Sequence, residues 1–206
     1  FAFYLISKYP DITIDTLTIS QEQYDFVKSK IEENHLQGKL NVIFKDYREH
    51  QGEYSRIYSI EMFEAVGMQY WQIYFDKIKD LLKPSGIFSM QTIVIFEGLF
   101  EKYSQKIDFI QKYIFPGGML PTVKTLENIA IEKKLDFFVK NQMADSYHQT
   151  LEMWRQNFNH KWDKIKNLGY SNEFKRMWNF YLSYCSGGFK AKTIDVFQID
   201  FTKNSN

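Results

Sequence analysis

The chain has 206 residues, of which 44% are hydrophobic, so it is long and apolar enough for one domain with a substantial core and does not resemble a disordered chain. Lys and Arg number 26 against 25 for Asp and Glu, and this balance favours no nucleic-acid partner. The lone cysteine, Cys185, is compatible with a cytoplasmic location, and the sequence contains no apolar run of about 18 residues that would cross a bilayer.

Strands and helices are predicted to alternate along most of the chain. In chain order, the first part gives a helix at 1–10, a strand at 11–19, a helix at 20–34 and strands at 39–44 and 55–60. The second part gives a helix at 70–82, a strand at 87–95, helices at 99–115 and 121–135, a strand at 136–144, helices at 146–170 and 172–185, and a strand at 191–201. This alternation is typical of a mostly parallel sheet with helices on both faces.

Local signals mark several ends of these elements. Ser20 followed by Gln23 is a capping-box signature at the start of a helix. Apolar residues recur at helical spacing over 70–82, and the turn formers of "KPSG" end that helix. The stretch "KDYREHQGEY", residues 45–54, is too rich in charges and turn formers for an interior element, so we interpret it as a loop of the kind that carries sites.

Several separated segments carry a family resemblance. Among them are "TLTISQEQ", "SIEMFEAVG", "YIFPGGMLP", "SYHQTLEMW" and "YCSGGFKAK". In order and spacing they resemble the cyclopropane-fatty-acyl-phospholipid synthases and the related mycolic-acid methyltransferases, and the match spans nearly the whole chain. The resemblance implies an α/β, Rossmann-like class I S-adenosylmethionine-dependent methyltransferase fold with a helical lid, which we place as an insertion at residues 96–120.

The resemblance also implies a chemistry and a boundary. In that family S-adenosylmethionine delivers a methyl group to the cis double bond of an unsaturated phospholipid acyl chain, and a bound bicarbonate takes a proton so that the ring closes. The family's first strand and its glycine-rich cofactor turn should precede Phe1. We therefore expect residues 1–206 to be a single methyltransferase domain that is truncated at its N-terminus and lacks the first strand, and we expect this fragment alone to be inactive.

Glu64 matches the carboxylate of the family's bicarbonate site. A carbocation needs electrostatic stabilisation and a base in a pocket that excludes water. A carboxylate beside a bound anion is repelled unless it holds or shares a proton, so we expect a raised pKa for Glu64. From the residues alone, the favoured interpretation of Glu64 is a carboxylate at a helix N-terminus, where the helix dipole stabilises it, and the resemblance reverses that preference.

Four more residues are assigned to the catalytic site by the same resemblance. Gln91 stands where cyclopropane synthases place an anion-binding histidine, and it cannot titrate near neutral pH, which weakens the case for ring closure. Ile93 matches a position that contributes through its backbone, Tyr147 matches the anion-site tyrosine, and Cys185 matches a cysteine near the active site. From the residues alone, Gln91 is a polar strand end, Tyr147 is core and Cys185 is inert packing.

Glu61 stands where better-known members of the family have a small residue, usually glycine. Its side chain either faces the cofactor pocket or caps the helix that follows. We do not assign it to the catalytic set.

The resemblance places the cofactor at the ends of the first two predicted strands. Ligands of parallel sheets lie beyond the carboxyl ends of the strands, which is where the matching residues fall. These residues are Thr18, Ser20, Gln23, Asp46, Tyr47 and Arg48. Without the resemblance, Ser20 and Gln23 are helix caps and residues 46–48 are a solvated loop.

Two rival functions and several partners follow from these assignments. The favoured product is a cyclopropane fatty acid, one rival is a methyl-branched or methylene-bearing chain, and the other is a non-catalytic lipid-binding module. Lys102, Lys106 and Lys112 lie among apolar residues of the helix predicted at 99–115, which suits a peripheral contact with anionic lipid at the inner membrane face. A homo-oligomer is compatible with the sequence, and the spacing of the four histidines predicts no metal site.

Overall fold

The computed structural model describes residues 1–203 and divides into two compact units, the first Phe1–Gly52 and the second beginning at Glu53. Each unit has its own sheet. Among the described residues, no helix combines the length and the apolar character that a membrane span requires.

The first unit is a small parallel α/β layer. Its elements are α1 (Ala2–Lys8), β1 (Ile14–Thr18), α2 (Gln21–Glu33) and β2 (Leu40–Phe44), followed by a short 3-10 helix (Tyr47–Glu49). β1 and β2 pair in parallel from Ile14 opposite Leu40 to Thr18 opposite Phe44. Ile6, Ile31 and Leu40 are buried together and form the core of this unit. The predicted strand-helix-strand pattern is confirmed here.

The second unit is built on a four-stranded sheet in the order β3-β4-β6-β5. Its strands are β3 (Tyr54–Ile60), β4 (Leu82–Ile95), β5 (Leu135–Gln142) and β6 (Ile194–Lys203). β3 and β4 are parallel, whereas β6 is antiparallel to both of its neighbours. The expected mostly parallel arrangement is therefore confirmed, with β6 as the antiparallel exception. The alternation of strands with helices did not predict this exception, because it does not report the direction in which the last strand enters a sheet.

Helices cover both faces of this sheet. Those that contact its strands are α3 (Trp71–Leu81), α6 (Val123–Lys133), α7 (Ala144–His160) and α9 (Asn172–Lys190). The unit also contains α4 (Glu97–Ser104), α5 (Phe109–Tyr113) and α8 (Trp162–Lys166). Val196 of β6 packs in a cluster with Leu151 of α7 and Leu182 of α9, whereas the Phe201 ring lies 5.1 Å from that of Phe75 in α3. Since side chains alternate across a strand, these two β6 residues lie on opposite faces.

An aromatic cluster fills the α3 face and holds the chain just after β3. Phe63, Tyr74, Phe75 and Phe88 are essentially fully buried. The Phe63 ring lies 5.1 Å from Tyr74 and 5.4 Å from Trp71. Burial of one such ring stabilises the fold by about 2–3 kcal/mol, so Phe63 fixes the position of its neighbour Glu64.

The helix predicted at 99–115 is wrong, because the structure has two shorter helices there. α4 ends at Ser104, and α5 begins after Asp108. The Asp108 carboxylate accepts from the Gln111 backbone N–H at 2.8 Å, and the Gln111 side chain accepts from the Asp108 N–H at 3.0 Å. This reciprocal capping box starts a new helix and interrupts the apolar pattern that suggested a continuous one.

Two other helix boundaries also differ from prediction. The helix expected at 146–170 is divided into α7 and α8 around Lys161, and α9 continues past the predicted end to Lys190. The extension passes through Gly188, where an added Cβ would lie only 3.0 Å from the Ile194 side chain. Glycine here allows the end of α9 to pack closely against β6 rather than ending the helix.

Candidate functional site

The candidate site lies at the carboxyl end of β3, where the chain leaves the sheet. Ile60 pairs with Gln91 of β4, and the Glu61 backbone N–H donates to the Gln91 carbonyl at 2.8 Å. Glu61 then takes a left-handed conformation with φ 51°. This turn carries the chain into a short 3-10 helix, Phe63–Ala65, that holds Glu64.

Glu64 is tied to β4 through one oxygen only. Its Oε1 accepts from the Ile93 backbone N–H at 2.6 Å and from the buried Thr92 hydroxyl at 3.0 Å. Its Oε2 is buried and has no hydrogen-bond partner within the part of the chain that the structure describes. Burial raises the pKa of Glu64 and the nearby Glu61 charge adds to the rise, against the lowering effect of the two donors.

Gln91, Tyr147 and Glu61 form a hydrogen-bonded triangle. The Tyr147 hydroxyl donates to Glu61 Oε1, and Gln91 Nε2 donates to the same oxygen and to the Tyr147 hydroxyl, each at 3.0 Å. Gln198 Nε2 donates to Gln91 Oε1 at 2.8 Å and so fixes the orientation of the amide. Burial, followed by the bond to Glu61, raises the pKa of Tyr147, which keeps its hydroxyl protonated at neutral pH.

Apolar packing brings the remaining predicted residues to the same place. Ile93, Tyr147 and Cys185 all pack against the buried cluster that includes Leu182 and Val196. Burial raises the pKa of the Cys185 thiol to about 12, so the thiol is protonated at neutral pH and is not an activated nucleophile.

The structure thus brings together Glu64, Gln91, Ile93, Tyr147 and Cys185, the set assigned from the sequence. The catalytic roles of these residues stay predictions. The segment assigned to the lid reaches the site as well, because the Met119 N–H donates to the Glu64 carbonyl at 2.9 Å.

Sequence reasoning left Glu61 out of this set. The alternative that Glu61 caps the next helix is wrong, since the short helix Phe63–Ala65 starts from Met62 without a side-chain cap and the Glu61 carboxylate bonds Tyr147 and Gln91 instead. The signal that could have indicated a role for Glu61 was the presence of an acid at a position where relatives have a small residue. Tyr181 was also missed. Burial raises its pKa to about 12, and the Glu61 charge contributes to that shift.

The first triplet assigned to the cofactor clusters at the end of β1. The Thr18 hydroxyl donates to Gln23 Oε1 at 2.7 Å and accepts from the Ser20 N–H at 3.1 Å. Ser20 caps α2 by accepting from the Gln23 N–H at 3.3 Å. The predicted cap is therefore confirmed, but the Gln23 side chain turns to Thr18 instead of completing the capping box.

The second triplet follows β2 at the same edge of the first unit's sheet. The Lys45 N–H donates to the Thr18 carbonyl at 3.0 Å, so the ends of both strands are adjacent. Asp46 forms an ion pair with Arg48 at 2.6 Å, and this guanidinium lowers the pKa of Asp46. Tyr47 lies between them in the 3-10 helix, and partial burial raises its pKa.

Known proteins share both the sequence and the fold of the chain. A tuberculostearic acid methyltransferase of Mycobacterium tuberculosis is 32% identical over 188 residues, which are 90% of this chain and 44% of that protein. A cyclopropane-fatty-acyl-phospholipid synthase of Escherichia coli is 34% identical over 205 residues, 98% of this chain and 50% of that protein. The chain therefore spans about half the length of these relatives.

Solved structures of related proteins have the same fold as this chain. A mycolic acid cyclopropane synthase complexed with SAH and CTAB matches with a TM-score of 0.87 at 24% identity, over 98% of this chain and 73% of that one. The likeness confirms the class I S-adenosylmethionine-dependent methyltransferase fold. The family model for mycolic acid cyclopropane synthetase matches residues 2–199. The chain belongs to the mycolic acid cyclopropane synthetase family.

Proposed function

We propose that this chain forms part of an S-adenosylmethionine-dependent lipid methyltransferase that methylates the double bond of an unsaturated phospholipid acyl chain and closes a cyclopropane ring. The observation that carries the proposal is the pair of carboxylates, Glu61 and Glu64, which Gln91 and Ile93 of β4 hold at the carboxyl end of β3. Methyl transfer to an alkene creates a cation, and preorganised negative groups in a low-dielectric site stabilise such a charge.

The first unit carries a donor set that fits the methyl donor. The ribose hydroxyls and adenine amino group of S-adenosylmethionine need hydroxyl, amide and carboxylate partners, which Thr18, Gln23 and Asp46 offer at one sheet edge. When bound, S-adenosylmethionine supplies an electrophilic methyl group. Thr18 and Gln23 would hold the ribose and methionyl portions, and Asp46 with its neighbours would lie beside the adenine.

The site is suited to a cation and unsuited to covalent catalysis. The apolar cluster behind Ile93, Tyr147 and Cys185 limits access of water from that side of the site, where water would otherwise capture the cation. The protonated Cys185 thiol is no nucleophile. Glu64 and Glu61 are therefore the groups that stabilise the positive charge, and Tyr147 and Gln91 hold Glu61 in position.

An apolar groove beside α9 offers a route for the acyl chain. Phe109 and Tyr113 of α5 face Phe174 and Met177 of α9 across a groove of about 540 Å³. On α9, Phe174, Met177, Tyr181 and Cys185 recur at three- and four-residue spacing and so share one helix face. At 1.5 Å per residue this stripe extends over about 16 Å and connects the groove with the site.

The same part of the chain suits a membrane surface. The link between α4 and α5 exposes Ile107, which is 77% accessible, and Tyr113 of α5 is 55% accessible. Lys102, Lys106 and Lys112 accompany them and would attract anionic headgroups. We propose that residues 96–120 act as a lid at a lipid surface, so that the protein works as a peripheral membrane enzyme.

The test uses the natural full-length protein with methyl-labelled S-adenosylmethionine. Vesicles of cis-unsaturated phospholipid should take up label, whereas vesicles of saturated phospholipid should take up none. Absence of label from the unsaturated lipid would refute the proposal and would favour a non-catalytic lipid-binding module if the vesicles still bind the protein.

Gln91 favours one second candidate, a methyl-branching enzyme, because an amide does not titrate near neutral pH as a histidine does. Mass spectrometry of the labelled lipid separates the two products. Ring closure adds one methylene unit to the acyl chain, whereas a reduced methyl branch carries two further hydrogens.

A further inference from the structure

We propose that the Glu61 carboxylate is the base that removes the proton at ring closure, so that the chain itself supplies the anion and needs no bound bicarbonate. This inference rests on the proposed function, because it names the proton acceptor of that reaction.

The hydrogen bonds of Glu61 leave one of its oxygens available. The donors from Tyr147 and Gln91 both converge on Oε1. No hydrogen bond from any of residues 1–203 reaches Oε2. One oxygen is therefore held in place while the other can accept a proton, which is the arrangement that a positioned base requires.

The polar groups around Glu61 are already engaged with it. Gln91 directs its Nε2 to Glu61 and to the Tyr147 hydroxyl, and its Oε1 accepts from Gln198. The Tyr147 hydroxyl accepts from Gln91 and donates to Glu61. A separate anion would have to displace Glu61 from these donors and would lie close to two carboxylates, since the charge of Glu61 acts on Glu64 and both charges act on Tyr147.

The backbone of Glu61 carries strain that glycine would relieve. Its φ of 51° lies in the left-handed region, which residues with a Cβ adopt at a cost in free energy. Such strain collects at functional sites, where surrounding structure holds it. Here the side chain at the strained position is the one that the neighbouring donors of β4 and α7 hold, so the strain accompanies a positioned carboxylate.

The reaction step balances with Glu61 as the only proton acceptor. Methyl transfer would break the bond between the methyl carbon and the sulfonium sulfur of S-adenosylmethionine, whose sulfur keeps the electron pair and leaves as S-adenosylhomocysteine. The alkene π electrons form the new C–C bond, which leaves a positive charge on the adjacent carbon of the former alkene. Glu61 Oε2 then accepts a proton from the transferred methyl group, and the C–H electron pair forms the third C–C bond of the ring. The cation is neutralised, and Glu61, which is exposed, returns its proton to solvent.

Bicarbonate dependence tests this assignment in the natural full-length protein. Cyclopropane formation from labelled S-adenosylmethionine and cis-unsaturated phospholipid vesicles is measured in buffer stripped of carbon dioxide, and again with added sodium bicarbonate. The wild type should give the same rate in both buffers. Glu61→Gln should lower the rate roughly 10²-fold to 10⁴-fold, the usual contribution of a positioned base.

Glu61→Gly provides the sharper readout, because it relieves the backbone strain and opens room for an anion beside Tyr147 and Gln91. In buffer stripped of carbon dioxide, the Glu61→Gly variant should be as slow as Glu61→Gln. Added bicarbonate should then raise its rate of cyclopropane formation at least tenfold. A merely structural role for Glu61 would not produce this rescue. The exposed Glu127 of α6 provides the matched control, and Glu127→Gln should change neither the rate nor the melting temperature.

Three results would overturn the inference alone: a wild-type rate that rises with bicarbonate, a Glu61→Gln variant within threefold of the wild type, or a slow Glu61→Gly variant that bicarbonate does not rescue. Absence of label from the lipid with the wild type would instead overturn the proposed function, and the inference with it. Melting temperatures of the variants show whether each one folds.

Discussion

Replacing Thr92 with valine should destabilise the protein by an amount that grows with pH. Thr92 is fully buried, and its hydroxyl donates to Glu64 Oε1 at 3.0 Å. Valine has nearly the same shape, so the substitution Thr92→Val removes this hydrogen bond without opening a cavity. Loss of a hydrogen bond to a neutral group costs about 0.5–1.5 kcal/mol, and loss of one to a charged group costs about 1.5–3 kcal/mol.

The direction of the pH dependence follows from Glu64. Because burial raises its pKa above the ordinary value of 4.5, the folded state binds the Glu64 proton more tightly than the unfolded chain does. The contribution of Glu64 to stability is therefore full below pH 4.5 and is lost as the pH rises through the folded-state pKa. The Thr92 hydroxyl favours the ionised form, so its removal raises the pKa of Glu64 further and enlarges that loss.

Urea unfolding of wild type and Thr92→Val at pH 4 and pH 8 measures the effect. We expect a loss of about 1 kcal/mol in the free energy of unfolding at the lower pH and about 2 kcal/mol at the higher one. In a double-mutant cycle with Glu64→Gln, the increase with pH should disappear, because the glutamine side chain does not titrate. Equal losses at both pH values, or an increase that persists in the Glu64→Gln background, would refute the reasoning.

Three further outcomes are expected. Tyr147→Phe removes the hydroxyl that donates a hydrogen bond to Glu61. This substitution should lower the rate of lipid methylation roughly 10²-fold in the labelling assay while the melting temperature changes little. Cys185, with a pKa of about 12 against the ordinary 9.0, should react with a thiol reagent at pH 7 roughly 10³-fold more slowly in the native protein than in denaturant, as followed by absorbance. Met177→Asp should raise the KM for unsaturated phospholipid roughly tenfold, whereas Met153→Asp at an exposed position should not.

The sequence was informative wherever one local rule decided the outcome. The spacing of Trp71, Tyr74, Phe75 and Ile78 predicted the buried face of α3, and all four are buried. Ser20 predicted the start of α2, because a capping hydroxyl acts on residues close in the chain. The set around Glu64 was reached through the resemblance, since the residues of the set are far apart in sequence and meet only in the folded sheet.

Other features could not be predicted because competing local signals or distant partners decide them. The apolar pattern over 99–115 continues through Asp108, yet its capping box with Gln111 outweighs that pattern and starts a new helix. The direction of β6 depends on pairing with β4 and β5, which its own alternation of side chains does not encode. The position of the Glu61 side chain depends on a left-handed φ, which glutamate rarely adopts.

The two glutamates acquire different properties from one short stretch of chain. After β3 ends, the left-handed turn at Glu61 leaves its carboxylate exposed and held by side chains. Phe63, two residues later, is buried, and its neighbour Glu64 accepts a hydrogen bond from the backbone of β4. Two carboxylates of one site take separate roles when their environments differ. The Glu64 carboxylate, held by the backbone of β4, is suited to facing the cation from a fixed position, and Glu61, open to solvent, is suited to taking up the proton and releasing it. The aromatic cluster around Phe63 therefore does more than stabilise the second unit, because it sets the difference in burial on which the proposed chemistry depends.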